Sequence, residues 1–131
     1  MKYKSGYRYV SEDAEIRSVL LPDAQAQYVG ISQGILVIAA RYAWDGASFT
    51  LFKWFGTPKS WLTPSLVHDA LYQLIREGLL DRQYREAADR LFREMLIERG
   101  VWRIVAWGAY YAVRVGGNFA VRKTNPVRGA V

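Results

Sequence analysis

The residues with the clearest capacity for chemistry are His68, the only histidine in the chain, and two carboxylates, Asp69 and Asp89. A carboxylate bonded to one imidazole nitrogen fixes the tautomer of the ring and leaves the other nitrogen able to take a proton. A pairing of His68 with Asp89 therefore predicts an imidazole that can accept a proton, as a general base does. The simpler alternative is a structural pair that ties two helices together. On the pair alone this alternative is favoured, because such pairs are common.

Upstream of these residues, Asp45 and Gly46 form an Asp-Gly dipeptide at the exit of a strand-like segment. With Asp69 and backbone carbonyls near Gly46, Asp45 would provide an oxygen-only shell, which suits a hard cation such as calcium. The dipeptide alone is weak evidence, because Asp-Gly is a routine turn former. Its combination with the His68–Asp69 pair and with Asp89 shifts the balance towards a functional site.

Two helices are predicted to carry the histidine and its partners. Thr63 is a good N-cap and Pro64 suits the first helical position, while Gly78 ends the first helix. Asp81 then caps a second helix, which ends before Gly100.

Helical spacing is predicted to bring the site residues together. His68 and Tyr72 are four residues apart and share one helical face, whereas Asp69 lies about 100° round the axis. Asp89 falls beside the apolar stripe of the second helix, where a carboxylate needs a partner. In an antiparallel hairpin, positions equidistant from the turn lie side by side. Because the turn lies at Gly78, we predict that His68 contacts Asp89.

A third helix is predicted to begin at Val101 or Trp102 and to weaken at Gly116 and Gly117. Its aromatic side chains have helical spacing, so we expect them to pack on the other two helices rather than lie at a membrane interface. The arginines of the second helix are expected to form a solvated charged face. They are Arg82, Arg85, Arg90 and Arg93.

The net charge of +6 favours anionic partners, but no nucleic-acid-binding motif accompanies it. Nucleic acid is therefore not an expected partner, and a solubilising surface is the simpler explanation. The chain has no cysteine, which excludes disulfides and thiol chemistry. We expect neither a signal peptide nor a transmembrane helix, because the most apolar stretch, residues 101–117, is short and interrupted by arginines.

The overall pattern predicts one α+β domain over residues 1–131, with β-strands and hairpins followed by three helices. The first two helices are expected to form the antiparallel hairpin that carries the site. The predicted divisions are a mainly β segment at 1–45, a loop at 46–62, a helical region at 63–117 and a tail at 118–131.

Three short segments carry a resemblance to a known family: Asp45-Gly46-Ala47-Ser48, His68-Asp69-Ala70-Leu71-Tyr72 and Ala88-Asp89-Arg90-Leu91-Phe92. Over roughly residues 35 to 117 the chain resembles small bacteriophage and prophage proteins, the domain of unknown function 1353. The resemblance implies a phage origin and a place in the virion or the host cytoplasm. The partners that it implies are other phage structural proteins or host membrane lipid, and it indicates no oligomeric state.

The same segments also resemble the core of prokaryotic phospholipase A2. That resemblance implies that His68 activates water, that Asp89 orients His68 and that Tyr72 supports Asp89 through its hydroxyl. It also implies a calcium ion, held by Asp69, Asp45 and backbone oxygens near Gly46, that would stabilise the substrate oxyanion. The chain departs from the family in lacking cysteines, with valine where a cysteine commonly precedes the His-Asp pair.

Two functions are therefore expected from the sequence. The first is calcium-dependent hydrolysis of a phospholipid or another ester by a water that His68 activates. The alternative is a non-catalytic phage component, such as a tail, baseplate or connector protein, that reuses the fold without its activity.

Overall fold

The structure is a computed structural model that describes residues 9–10, 14–40, 43–44 and 58–122. Side chains are described for residues 14–40 and 58–117. Strands precede helices, so the predicted α+β class is confirmed. The strands are β1 (Tyr9–Val10), β2 (Glu15–Ser18), β3 (Ala24–Gln25), β4 (Val29–Ser32), β5 (Ile35–Ile38) and β6 (Ala43–Trp44). The helices are α1 (Lys59–Arg76), a 3₁₀ turn (Arg82–Tyr84), α2 (Arg85–Glu98) and α3 (Arg103–Arg122).

Four of the strands form an antiparallel sheet in the order β2-β5-β4-β3, and β1 pairs with β6 in a separate two-stranded ribbon. The hairpin between β4 and β5 turns through Gln33 and Gly34, at φ angles of 51° and 76°. Two successive left-handed residues match the twist of the flanking strands, as in a type I′ turn. The turn sets the register that pairs Ser32 with Ile35.

The inner face of this sheet packs on the helices. Every second side chain of β4 and β5 is buried, as expected for strands with one face on the core. Each large aliphatic side chain removed from water contributes about 1.5–3 kcal/mol. The fully buried members of this core include Ile31, Leu36, Ile38, Leu66, Leu71, Leu74 and Met95.

Helix α1 begins earlier than Thr63 and Pro64 predict. It starts at Lys59, so Pro64 lies inside the helix, where its ring cannot donate the usual backbone hydrogen bond. The first turn is retained because Trp61 packs in a second apolar cluster, with its ring edge-on to Phe92 at a centroid distance of 6.0 Å. Burial of a large aromatic ring is worth more than one lost backbone bond.

The helix ends follow the predicted glycines. Gly78 and Gly100 have φ angles of 74° and 90°, and the backbone N–H after each glycine donates to a carbonyl five residues earlier. This is the Schellman arrangement, which favours glycine in the left-handed position. Asp81 accepts a hydrogen bond from the backbone N–H of Gln83, as a cap should, and the 3₁₀ turn then leads into α2.

Helix α3 differs from its prediction at its C-terminal end. It continues through Gly116 and Gly117 to Arg122, so the expected weakening and the tail from residue 118 are wrong as far as residue 122. Gly117 is buried, and a Cβ there would overlap the Tyr72 hydroxyl and lie 2.8 Å from Arg85 Nη1. The glycine therefore permits close helix packing. No helix in the described ranges is both long and apolar enough to cross a membrane.

Candidate active site

The structure brings His68 of α1 and Asp89 of α2 into direct contact. His68 Nε2 lies 2.7 Å from Asp89 Oδ1, as the hairpin geometry predicted. The Asp89 side chain is 0% exposed and that of His68 is 13% exposed. Because a carboxylate can only accept, Nε2 carries the hydrogen, and in the neutral imidazole Nδ1 then keeps its lone pair. Among the described residues, Nδ1 has no hydrogen-bond partner.

Tyr72 is the second donor to Asp89, and its hydroxyl bonds to the same Oδ1 atom. Burial raises the pKa of the Tyr72 phenol, and the hydrogen bond to Asp89 raises it further. The phenol therefore stays protonated and remains a donor. The His68 ring contacts two other rings, with centroid distances of 4.1 Å to Tyr72 and 4.9 Å to Phe92.

The other oxygen of the Asp89 carboxylate faces two arginines that were not predicted as site residues. Arg114 of α3 donates from Nη1 to Asp89 Oδ2 at 2.9 Å, and Arg85 Nη1 lies 3.6 Å from the same atom. The predicted solvated face of α2 is therefore wrong for Arg85. The spacing of four residues between Arg85 and Asp89 was a usable signal, because such residues are neighbours on a helix. No local spacing connects Arg114 to Asp89.

Arg85 also attaches α3 to the site. Its Nη1 donates to the carbonyl oxygens of Val113 and Arg114, both at 3.3 Å, and lies 3.4 Å from the Tyr72 hydroxyl. These contacts are possible because Gly117 leaves room for the two side chains. All three helices therefore converge on one buried carboxylate. We call His68, Tyr72, Arg85, Asp89 and Arg114 the Asp89 cluster.

The charges of the Asp89 cluster fix the geometry of its side chains. Two guanidinium groups face one carboxylate, so they offset much of the charge with which Asp89 would stabilise an imidazolium. Removing these ions from water is costly, and the multiple hydrogen bonds to Asp89 compensate for that cost. The arrangement holds His68 in one orientation and one tautomer.

The predicted calcium ligands are only partly described. Asp69 is half-buried on α1, whereas Asp45 and Gly46 lie outside the described residues. Within the described ranges, no group of three or more His, Asp or Glu side chains could hold a metal ion. Calcium takes about six to eight oxygen ligands. The calcium site therefore stays a prediction.

The fold and the cluster define an α+β protein whose antiparallel helix pair carries a buried His–Asp contact. The chain belongs to the family described as "Protein of unknown function (DUF1353)", whose family model matches residues 23–113. The match spans most of the sheet, α1, α2 and the first half of α3, and it ends one residue before Arg114. No curated protein and no solved structure matches the chain.

Proposed function

We propose that the protein is an ester hydrolase in which His68 is the general base. The observation that supports this proposal is that, among the described residues, only one of the two imidazole nitrogens of His68 is hydrogen-bonded. Asp89 engages Nε2 at 2.7 Å, while Nδ1 has no hydrogen-bond partner among the described residues. A ring held in this way can take a proton from water without first breaking another bond.

In the proposed reaction, Nδ1 of His68 removes a proton from water as the water oxygen attacks the ester carbonyl carbon. Asp89 accepts the hydrogen bond from Nε2–H and so keeps the ring in the orientation and tautomer that leave Nδ1 open to the proton. When the bond to the leaving oxygen breaks, the proton on Nδ1 passes to that oxygen. The products are a carboxylic acid and an alcohol, and the histidine returns to its neutral form.

The proposed substrate class is a carboxylic ester of a phospholipid, which rests on the resemblance to prokaryotic phospholipase A2. Calcium, if bound, would be held by Asp69, Asp45 and backbone oxygens near Gly46, and it would polarise the substrate carbonyl. Because only one of these ligands lies in the described ranges, the steps above are assigned to His68 and Asp89 alone.

The test measures hydrolysis of a short-chain ester and of phospholipid in mixed micelles, with calcium or with a chelator. His68→Asn should lower the rate by about 10²–10⁴-fold while leaving the circular dichroism spectrum unchanged. Asp69→Asn should lower calcium affinity in a binding titration, whereas His68→Asn should not. A wild-type protein without esterase activity, or an equally active His68→Asn variant, would refute the proposal.

A second candidate function is a non-catalytic phage component, such as a tail, baseplate or connector protein. The complete burial of Asp89 and its contacts with residues of all three helices support this alternative, because a structural tie between helices has those features. It predicts that the chain is a stoichiometric part of purified phage particles and that assembly tolerates His68→Gln. Particles that assemble without the chain would count against it.

A further inference from the structure

Helix α3 turns a wide apolar face towards solvent. Ile104, Tyr111 and Val115 are 79%, 59% and 84% exposed, and their spacing places them along one side of the helix. The expectation that the aromatic residues of this helix pack on its neighbours holds for Tyr110 and in part for Trp107, which stacks on Arg93 of α2, and it is wrong for Trp102 and Tyr111, which are largely exposed. We call the following residues the α3 face: Ile104, Val105, Trp107, Gly108, Tyr111, Ala112, Val115 and Gly116, all of them exposed.

The α3 face contains no charged residue, which is unusual for the solvent side of a helix. A surface helix normally places polar and charged residues opposite its core-facing stripe. On α3 the core-facing side includes Ala106, Ala109 and Tyr110, and the opposite side is apolar as well. A contiguous exposed apolar surface of this kind marks a site of interaction with a membrane or another molecule.

The charge of the surrounding sequence indicates an anionic partner. Residues 99–131 contain six basic and no acidic residues, so this segment carries the whole net charge of +6 and residues 1–98 are balanced. Such a segment attracts anionic surfaces and repels a second copy of itself. The six basic residues are Arg99, Arg103, Arg114, Arg122, Lys123 and Arg128.

Aromatic side chains with adjacent arginines complete the pattern. The guanidinium of Arg93 lies 4.0 Å from the centroid of the Trp107 ring and 4.7 Å from that of Tyr110. Trp102, just before the helix, is largely exposed, and Arg103 follows it. Tryptophan and tyrosine favour the boundary between lipid tails and head groups, and arginine can bind lipid phosphates there.

We propose that the α3 face docks the protein on an anionic lipid surface, with the helix axis in the plane of the surface. The exposed aliphatic and aromatic side chains enter the head-group boundary, and the exposed Arg103 at the start of the helix meets the phosphates. This inference rests on α3 alone and does not require that His68 be catalytic. If the proposed hydrolase is correct, the same face brings the enzyme to its phospholipid substrate.

The test is vesicle flotation of the full chain at low ionic strength. We expect binding to vesicles of equal parts phosphatidylcholine and phosphatidylglycerol, weakened about tenfold or more on pure phosphatidylcholine and reduced by added salt. The double variant Ile104→Gln and Val115→Gln should lose about tenfold or more of the binding, because two apolar side chains no longer enter the surface.

A matched control is offered by Ile16 and Leu20, two exposed apolar residues on the sheet side of the molecule. The double variant Ile16→Gln and Leu20→Gln should bind vesicles as the wild type does. Absence of wild-type binding, or equal loss in both double variants, would overturn the inference. So would a wild-type dimer that dissociates in the Ile104 and Val115 double variant, because the face would then belong to a second copy.

The His68→Asn variant separates this inference from the proposed hydrolase. It should bind the anionic vesicles with unchanged affinity while losing hydrolysis. Vesicle binding by a wild-type protein without esterase activity would support docking by α3 and refute the hydrolase. Esterase activity on soluble substrates without any vesicle binding would support the hydrolase and refute docking by α3.

Discussion

Two of the arginine–carboxylate contacts among the described residues differ in what surrounds them. In the Asp89 cluster, the carboxylate is wholly buried and Arg114 reaches it from another helix. In the second contact, Arg17 of β2 forms two parallel hydrogen bonds, of 2.8 and 3.0 Å, with Glu98 at the end of α2. The Glu98 side chain is 53% exposed. The second contact has the better pair geometry, yet the first one organises the fold.

The difference shows what sets the cost of breaking an ion pair. The number of buried groups that lose their acceptor matters more than the distance between the two charges. If Asp89 loses its charge, two guanidinium groups and a tyrosine hydroxyl remain in a confined space without their acceptor. If Glu98 loses its charge, Arg17 can turn to water, and screening limits what the pair contributes. The loss in the free energy of unfolding should therefore be several-fold larger for substitutions in the Asp89 cluster than for those in the Arg17–Glu98 contact.

The largest effect is expected for Asp89→Asn. The amide keeps the shape of the side chain but removes the charge that Arg85 and Arg114 share, at an expected cost of about 3–5 kcal/mol in the free energy of unfolding. Urea denaturation followed by circular dichroism measures the change. The control is Asp23→Asn, because Asp23 is exposed and accepts one backbone hydrogen bond from Gln33 that an amide oxygen can also accept. That variant should change stability by less than about 0.5 kcal/mol.

A smaller effect is expected for Tyr72→Phe, which removes one donor from Asp89 Oδ1 and leaves the ring in place. Hydrogen bonds to charged groups contribute about 1.5–3 kcal/mol, so the loss should fall in that range. A cost as large as that of Asp89→Asn would contradict the view that charge, rather than the number of hydrogen bonds, dominates the cluster.

The pH dependence of Tyr72→Phe provides a second measurement on the same variant. The pKa of Tyr72 is raised in the folded state. The contribution of Tyr72 to the free energy of unfolding is therefore complete below the pKa of an unfolded tyrosine, which is about 10. That contribution is lost as the pH rises through the pKa of the folded state. Wild-type stability should therefore fall more steeply above about pH 10 than that of the variant. Parallel alkaline profiles would show that Tyr72 is not coupled to folding in this way.

The sequence predicted the parts of the site that depend on short-range spacing. The contact between His68 and Asp89 follows from two helices of regular pitch that meet at Gly78, whose left-handed conformation could be read from its residue type. The order of N-terminal strands followed by helices likewise follows from local patterns. The role of His68 and Asp89 in catalysis stays a prediction, because geometry alone does not establish an activity.

The features that the sequence did not predict depend on contacts between distant residues. Nothing near Arg114 indicates that it meets Asp89, since the contact arises only when α3 packs across the helix pair. The start of α1 was placed too late because the burial of Trp61 overrides the preference of Pro64 for a first turn. Helical periodicity on α3 was sufficient to predict an apolar stripe. It does not show which apolar side chains face solvent, so the exposed α3 face was not predicted.

The glycine contact between α3 and the Asp89 cluster should respond to a single methyl group. Gly117→Ala would place a Cβ against the Tyr72 hydroxyl and Arg85, and overpacking of this kind costs about 1–3 kcal/mol. The adjacent Gly116→Ala is the control, because its Cβ meets nothing within 4 Å. There alanine should stabilise the helix by about 0.5–1 kcal/mol. Thermal unfolding of both variants measures the two effects, and the same sign for both would contradict this packing.

The smallest effect is expected for Glu98→Gln, at about 0–1 kcal/mol, because the Glu98 side chain is more than half exposed. The hydrogen bond that Arg17 donates to Glu98 lowers the pKa of Glu98. The contribution of this pair to stability is therefore present above the usual carboxyl pKa and is lost as the pH falls through the pKa of Glu98 in the folded state. The stability difference between wild type and variant should therefore vanish in acid. A double-mutant cycle with Arg17→Met measures the pair energy. A coupling as large as the cost of Asp89→Asn would mean that geometry, rather than burial, sets the strength of both contacts.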